Sequence, residues 1–297
     1  MEENFSEKKV GFVSLIGRPS SGKSTLINTI CGFKISIVSK HPQTTRFLVR
    51  GIFNDDDSQI IFVDTPGFHN FNSNLNRGLS NLAVRNLADC DLVLYLVDTT
   101  REFGDEENQI IEKLIGCQSR LIVAFNKIDD KNSKDSIKNI VKEKLKPKAF
   151  CEISGLNGKN IDILLKSIKE CLDLGHIYYP EDYVTDQTIP FRITEVVREQ
   201  IFNTTTEEVP HSTYVEVDSL DVKENNIKAY CTIYVEKDSQ KGIIIGKGGK
   251  MIKTIGEKAR ISLKDIFERE VSLFLNVKLN LNWRKKDKLL KKMFQLE

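Results

Sequence analysis

The sequence predicts an α/β, doubly wound domain with a mostly parallel sheet, followed by a smaller α+β domain. Three observations carry this. Short Val/Ile/Leu-rich runs alternate with helical patterns over residues 9–175. Residues 175–190 (GHIYYPEDYVTDQTIP) break that periodicity with proline, glycine and acidic residues. Residues 190–297 then run helix, strand, strand, helix, helix, strand and a tail. A length of 297 residues suits two domains better than one. The boundaries read from the sequence are 1–175, a linker at 176–190, and 191–297.

Taken in order, the first domain offers strands at Val10–Ile16, Gln59–Val63, Asp91–Val97, Arg120–Phe125 and Ala149–Ile153. Each is nearly continuously apolar, as strands buried on both faces of a parallel sheet are. Phe47–Phe53 is an additional strand candidate. Helices are expected at Lys23–Cys31, which Gly32 ends, at Asn76–Ala88 and at Glu106–Ile115. In the second domain Ile193–Phe202 reads as a helix. Thr213–Val217 and Ala229–Val235 read as paired strands around a polar turn at Glu224–Asn226. Ile252, Ile255, Ala259, Leu263 and Ile266 recur at helical spacing, and Val271 to Leu281 alternate strictly as a strand. The tail Trp283–Phe294 reads as an amphipathic helix packing on its own domain through Leu289, Leu290 and Phe294, in preference to a second nucleic-acid- or membrane-facing surface.

Hydrophobic residues make up 40% and charged residues 29%, which excludes long disordered stretches. The 44 basic and 42 acidic residues give a net charge of only +2, but unevenly. Residues 1–180 hold 24 basic and 23 acidic, 181–240 hold 5 and 13, and 241–297 hold 15 and 6. The basic end is the candidate polyanion site. Cys31, Cys90, Cys117, Cys151, Cys171 and Cys231 form no CxxC pair and read as reduced thiols. The start MEENFSEKKV lacks the apolar core of a secretory signal, and no apolar run reaches membrane-spanning length. The expected location is cytoplasmic.

GRPSSGKS, Gly17–Ser24, sits between the first strand and the first helix and fits G-x-x-x-x-G-K-[ST]. Gly17, Arg18, Pro19, Ser20, Ser21, Gly22, Lys23, Ser24 and Thr25 are therefore candidate phosphate-cradling residues. Backbone amides at a helix start face anionic oxygens, Lys23 adds charge at the β/γ phosphates, and the Ser24 hydroxyl can ligate Mg²⁺. DTPG, Asp64–Thr65–Pro66–Gly67, closes the strand QIIFV; Asp64 can hold Mg²⁺ and the Gly67 amide can reach a γ-phosphate. NKID, Asn126–Lys127–Ile128–Asp129, closes RLIVAF. The Asp129 carboxylate can accept from guanine N1–H and N2–H₂, whereas adenine would leave it facing a lone pair. Asn126 can tie this loop to the phosphate loop. PQTTR supplies a switch Thr for Mg²⁺, with Thr45 preferred over Thr44, and Ser154–Gly155 follows the last strand near the base. The set resembles that of GTPases, with Lys23, Thr45, Asp64 and Gly67 in the catalytic roles and Ser24, Thr45 and Asp64 on the metal.

Phe68 stands where Ras-like proteins carry a water-orienting Gln, as in the hydrophobic-substituted, translation-factor-related GTPases. Slow intrinsic turnover is the expectation. Some members of that class use K⁺ held by a phosphate-loop Asn; Ser20 occupies that position here and is a poorer ligand.

IIIGKGGKMI, Ile243–Ile252, places a G-x-x-G turn, Gly246–Lys247–Gly248–Gly249, between the strand pair and a helix. That order resembles a type II KH fold, whose turn clamps about four unpaired nucleotides. Ile245 would border the base groove, and Lys247, Lys250 and Lys253 supply charge to phosphates.

Together GRPSSGKSTLIN, PQTTR, DTPGFH, NKID and GKGGKMIKTIG resemble the Era family of bacterial GTPases over almost the whole chain. The resemblance implies a P-loop GTPase domain followed by a type II KH domain, with GTP or GDP and Mg²⁺ as ligands. It also implies binding to the 3′ region of 16S rRNA in maturation of the 30S ribosomal subunit, a monomer, and peripheral association with the inner membrane. Two other readings are weighed: a nucleotide-gated RNA-binding module in which hydrolysis is only a release timer, and a tRNA-modifying or tandem-type GTPase.

Overall fold

The computed structural model describes residues 7–39, 46–65, 87, 89–286 and 289–290. The expected switch Thr45, its alternative Thr44, Pro66, Gly67, Phe68, most of the expected helix Asn76–Ala88, and Phe294 lie outside the described residues. The chain divides into two compact units. The first runs to Asp186, and the second begins at Gln187 and takes in a short segment starting at Ile37.

The first unit is a sheet of order β2-β3-β1-β4-β5-β6. Its strands are β1 (Lys8–Ile16), β2 (Val49–Asn54), β3 (Ser58–Asp64), β4 (Leu92–Asp98), β5 (Leu121–Asn126) and β6 (Ala149–Glu152). All ladders along this path are parallel except the β2–β3 hairpin. β3, β4 and β5 are buried at every position, which is why the sequence shows runs rather than alternation. The helices are α1 (Lys23–Cys31), α2 (Asp105–Leu114), α3 (Asp135–Lys144) and α4 (Ile161–Cys171). α2 opens on Asp105, Glu106 and Glu107 and carries Lys113 in its last turn, matching the helix dipole. Its Ile110, Ile111 and Leu114 join Val93, Tyr95, Val97, Val123 and Phe125 in one core. β1 lies between β3 and β4, so the loop after β1 opens at the switch point where such sheets bind ligands.

A short strand β7 (Asp173–Gly175) pairs antiparallel with the start of β1, which the sequence did not predict. The segment expected as a linker is fastened to the first unit over residues 178–186. The Ile52 amide donates to Val184 O at 2.9 Å. The Thr185 hydroxyl donates to Arg50 O at 2.7 Å, and Arg50 pairs with Asp186 at 2.7 Å. The Gln59 side chain bonds the Tyr178 and Tyr179 amides and Tyr179 O. The bonds to Ile52 and Arg50 cover β2, the edge strand of the sheet, and those of Gln59 tie the same segment to β3. Composition read as loop because a strap on a sheet edge needs neither helical nor strand periodicity.

The second unit holds α5 (Ile189–Thr204), β8 (Tyr214–Val222), β9 (Asn226–Val235), α6 (Asp238–Ile245), α7 (Lys250–Phe267) and β10 (Glu270–Leu279). Thr188 caps α5 by accepting from the Phe191 amide, and Pro190 sits in its first turn. β9 lies between β8, antiparallel, and β10, parallel over ten residue pairs. α5 and α7 pack on each other, and α7 turns Ile255, Ala259, Leu263 and Ile266 inward. The tail differs from expectation. Trp283, fully buried in a 3₁₀ turn, is its anchor; its indole N–H donates to Ser212 O at 2.8 Å and its ring lies 4.8 Å from Tyr214. Leu290 is buried as expected. The six cysteines are free thiols.

Candidate nucleotide and RNA sites

Four predicted segments meet at the carboxyl ends of β1, β3, β5 and β6. The phosphate loop follows β1. Gly22 adopts φ 100°, and a Cβ there would overlap the Asn126 amide, so only glycine lets the two loops close together. A Cβ on Gly17 would lie 2.5 Å from Leu96 O. Asn126 bridges the loops, donating to Ser21 O at 2.8 Å and accepting from the Gly155 amide at 2.8 Å. Lys23 is buried, with its ammonium on Gly17 O and Arg18 O at 3.1 and 3.2 Å. Burial pushes its pKa down, and the nearby Asp64 and Glu107 carboxylates push it back up. The loop thus stores a poorly solvated cation beside a helix N-terminus, a strong attractor for phosphate.

Ser24 Oγ donates to Asp64 Oδ2 at 2.6 Å, and Asp64 is fully buried. A hydroxyl and a carboxylate in contact form a hard oxygen donor set that fits Mg²⁺. Thr65 is buried, and its hydroxyl donates to Leu15 O at 2.7 Å, which fixes the strand end. Ser20 is exposed at φ 64°. Arg18 points away from the loop, to Glu106 at 2.6 Å and Glu102 O at 3.3 Å. Pro19 O takes a bond from Arg101 at 3.4 Å. Thr25 is half-buried in the first turn of α1.

In the base loop Lys127 adopts φ 68° and the Asp130 amide closes a turn onto Lys127 O at 3.1 Å. Ile128 N bonds Ile153 O, and Asp129 is exposed at the turn's tip. Ser154 is fully buried, its hydroxyl accepting from the Asn157 amide. The Gly155 amide is engaged by Asn126, so Ser154 and Gly155 act on the base loop through Asn126 in this structure.

Sequence reading missed four residues around these loops. Asp98 and Thr99 end β4 and hold the NKID turn. The Thr29 hydroxyl bonds Gly155 O at 2.6 Å. Glu107 is fully buried within electrostatic reach of Lys23 and accepts from the Tyr95 hydroxyl at 3.0 Å. The faint signal was VDTT, an acidic residue and two hydroxyls at the end of an apolar strand. Burial pushes Glu107 up to about 7, with Tyr95 and Arg18 opposing. Its folded pKa lies above the ordinary 4.5, so the folded state holds the extra proton between the two values. Stability is then lost as pH rises through that window, by up to ~3 kcal/mol. Glu107→Gln should flatten this slope in denaturant unfolding between the two pKa values; an unchanged slope would place its origin elsewhere.

In the second unit α6 ends at Gly246, and a 3₁₀ turn, Lys247–Gly249, leads into α7. Gly246, Gly248 and Gly249 have φ of 71°, 61° and 76°, so every glycine of the turn has a positive φ. A Cβ on Gly246 would lie 2.7 Å from Met251, whereas Gly248 faces open space. Lys247, Lys250 and Lys253 are exposed, and Ile245 is half-buried beside them. A glycine turn that lets a chain approach its backbone, a helix start and three exposed lysines suit a phosphodiester chain.

A family model described as a 50S ribosome-binding GTPase matches residues 12–127, and a KH domain model matches residues 208–284. GTPase Era of Borrelia garinii subsp. bavariensis is 45% identical over 287 residues, covering 96% of this chain and 99% of its own. The chain belongs to the Era family of GTPases. Its Treponema denticola relative is 44% identical over 95% of this chain and 98% of its own. A point variant of Aquifex aeolicus Era bound to GDP·AlF₄⁻ superimposes with a TM-score of 0.90 at 35% identity, covering 96% and 98% of the two chains. An Era complex with MgGDPNP and nucleotides 1506–1542 of 16S rRNA gives 0.91 at 34% identity, covering 97% and 98%. This Era-family chain is thus a GTPase that uses GTP, GDP and Mg²⁺, with a P-loop domain followed by a KH domain. Among the described residues no helix is long and apolar enough to cross a membrane.

Proposed function

We propose that this Era-family GTPase binds the 3′ region of 16S rRNA through the Gly246–Gly249 turn and acts in maturation of the small ribosomal subunit. The observation that carries the reading is three positive-φ glycines flanked by exposed lysines, in the same chain as a complete phosphate loop and NKID turn. A relative of 34% identity was solved holding that RNA region together with MgGDPNP.

The chemistry follows from the first unit. Water attacks the γ-phosphorus, the bond to the β–γ bridging oxygen breaks, and GDP and phosphate leave. Lys23 neutralises charge spreading over the β and γ oxygens, and the helix N-terminus at Ser24 and Thr25 orients the chain of phosphates. Ser24, Asp64 and, by assignment, Thr45 would hold Mg²⁺, which supplies further charge neutralisation when bound, and the Gly67 amide is assigned to the γ-phosphate. Asp129 reads the guanine edge with the Lys127 stem along the base. At the position where a phosphate-loop Asn would hold K⁺ this chain offers the Ser20 hydroxyl, a poorer ligand, and turnover measured with and without K⁺ reads the consequence. The same reading takes the chain as a cytoplasmic monomer that meets the membrane peripherally; sedimentation analysis and vesicle flotation check both.

Gly248→Asp tests the RNA site. Gly248 has open space around it and a φ that Asp tolerates, so the fold should survive. A carboxylate against phosphates should weaken binding of a 16S 3′ fragment by at least ~10-fold, with GTP affinity unchanged. Unchanged RNA affinity would remove the turn from the interface.

A further inference from the structure

Asp98 belongs to no motif read from the sequence, yet it sits at the base loop. It ends β4 directly opposite Asn126 in the β4–β5 register. It is 2% exposed, and its two carboxylate oxygens face different partners. Oδ1 accepts from the Thr100 amide at 3.0 Å and the Thr100 hydroxyl at 2.7 Å. Oδ2 accepts from the Lys127 ammonium at 2.7 Å. Next to it, the Thr99 amide and hydroxyl both donate to Asn126 O, at 3.2 and 2.8 Å. The end of β4 therefore grips Asn126 through the main chain and Lys127 through the side chain.

This grip matters because of what lies two residues on. Lys127 and Asp129 share one tight turn, with Lys127 held in the left-handed region. An ammonium released there would be drawn to the exposed Asp129 carboxylate. A lysine-paired Asp129 would have fewer lone pairs for an N1–H and N2–H₂ edge, and the lysine stem would no longer lie along the base. We propose that Asp98 is a positioning residue for guanine specificity, holding the Lys127 ammonium so that Asp129 stays open to the base. The proposal deepens the assignment of Asp129 as base reader and rests on it.

The test uses the full chain and three diphosphates: GDP, IDP, which lacks the 2-amino group, and XDP. In Asp98→Asn, which keeps the shape and the Thr100 contacts, GDP affinity should fall about tenfold and IDP affinity less, narrowing the GDP/IDP ratio. KM for GTP should rise by about the same factor while kcat stays within about twofold. With Lys127→Met no ammonium remains to be released, so adding Asp98→Asn there should change affinity by less than about twofold. Equal weakening of GDP and IDP, or additive losses in the double variant, would overturn the proposal, because a purely structural Asp98 gives both. Should Asp98→Asn fail to fold, Asp98→Ser, which likewise offers Lys127 no carboxylate, must narrow the ratio in the same direction, and an unchanged ratio overturns it. Asp129→Asn reports on the base reader independently: without a gain for XDP, the underlying assignment fails whatever Asp98 does.

Discussion

Lys23→Ala should cost this GTPase at least ~100-fold in GTP affinity. The ammonium is buried, bonded to the loop carbonyls of Gly17 and Arg18, and held at a lowered pKa by that burial. Truncating a buried partner of a charge pair costs about 2–5 kcal/mol, and every ~1.4 kcal/mol is tenfold. The same burial predicts an opposite effect on the ligand-free protein. A desolvated cation destabilises the fold, so removing it should leave Tm unchanged or raised. Calorimetry with and without GTP separates the two. Full GTP affinity in the variant would sink the phosphate-loop assignment; a large loss of Tm without ligand would show that Lys23 is structural.

The second large effect is expected at Asp129. Asp129→Asn presents one donor and one acceptor where the wild type presents two acceptors. Guanine then loses the partner for its 2-amino group, whereas xanthine, with a carbonyl at that position, gains one. GTP affinity should drop by about 100-fold or more, and the XTP/GTP preference should invert. The side chain is exposed at the tip of a turn held by Asn126, Lys127 and Ile128, so the substitution should not disturb folding. Competition binding with the two triphosphates checks it. Unchanged GTP affinity would mean that another group reads the base.

The fold of this chain was largely legible because its central strands β3, β4 and β5 are buried throughout and β10 largely alternates. β3, β4 and β5 are apolar runs ended by Asp64, Asp98 and Asn126, and the polar residue at each end marks where the sheet opens. The phosphate loop and the glycine turn before α7 were legible for a related reason. Both need backbone conformations or close approaches that glycine alone permits, so the requirement is written as residue identity. The strap over β2 was not legible. Its bonds run from Ile52 and Arg50 to Val184, Thr185 and Asp186, far along the chain, and pairing between such distant residues leaves no local periodicity. β7 is three residues long, too short for any period. In the tail the leucine spacing pointed to Leu290, which is buried, but not to Trp283, because a helical pattern shows spacing but not which large side chain finds a cavity.

The sequence by itself determined the motifs from which the ligands are read: a phosphate loop, an NKID turn and a glycine turn flanked by lysines, each a short segment whose chemistry is local. Tertiary structure alone decided how those segments are held. Asn126 joins three loops, Asp98 restrains Lys127 across a strand pair, and Glu107 lies buried within reach of the Lys23 charge. The hydrogen bonds among them join residues 29 and 105 positions apart. Their strength comes from exclusion of water at strand ends, a property of the packed sheet that no stretch of sequence carries alone.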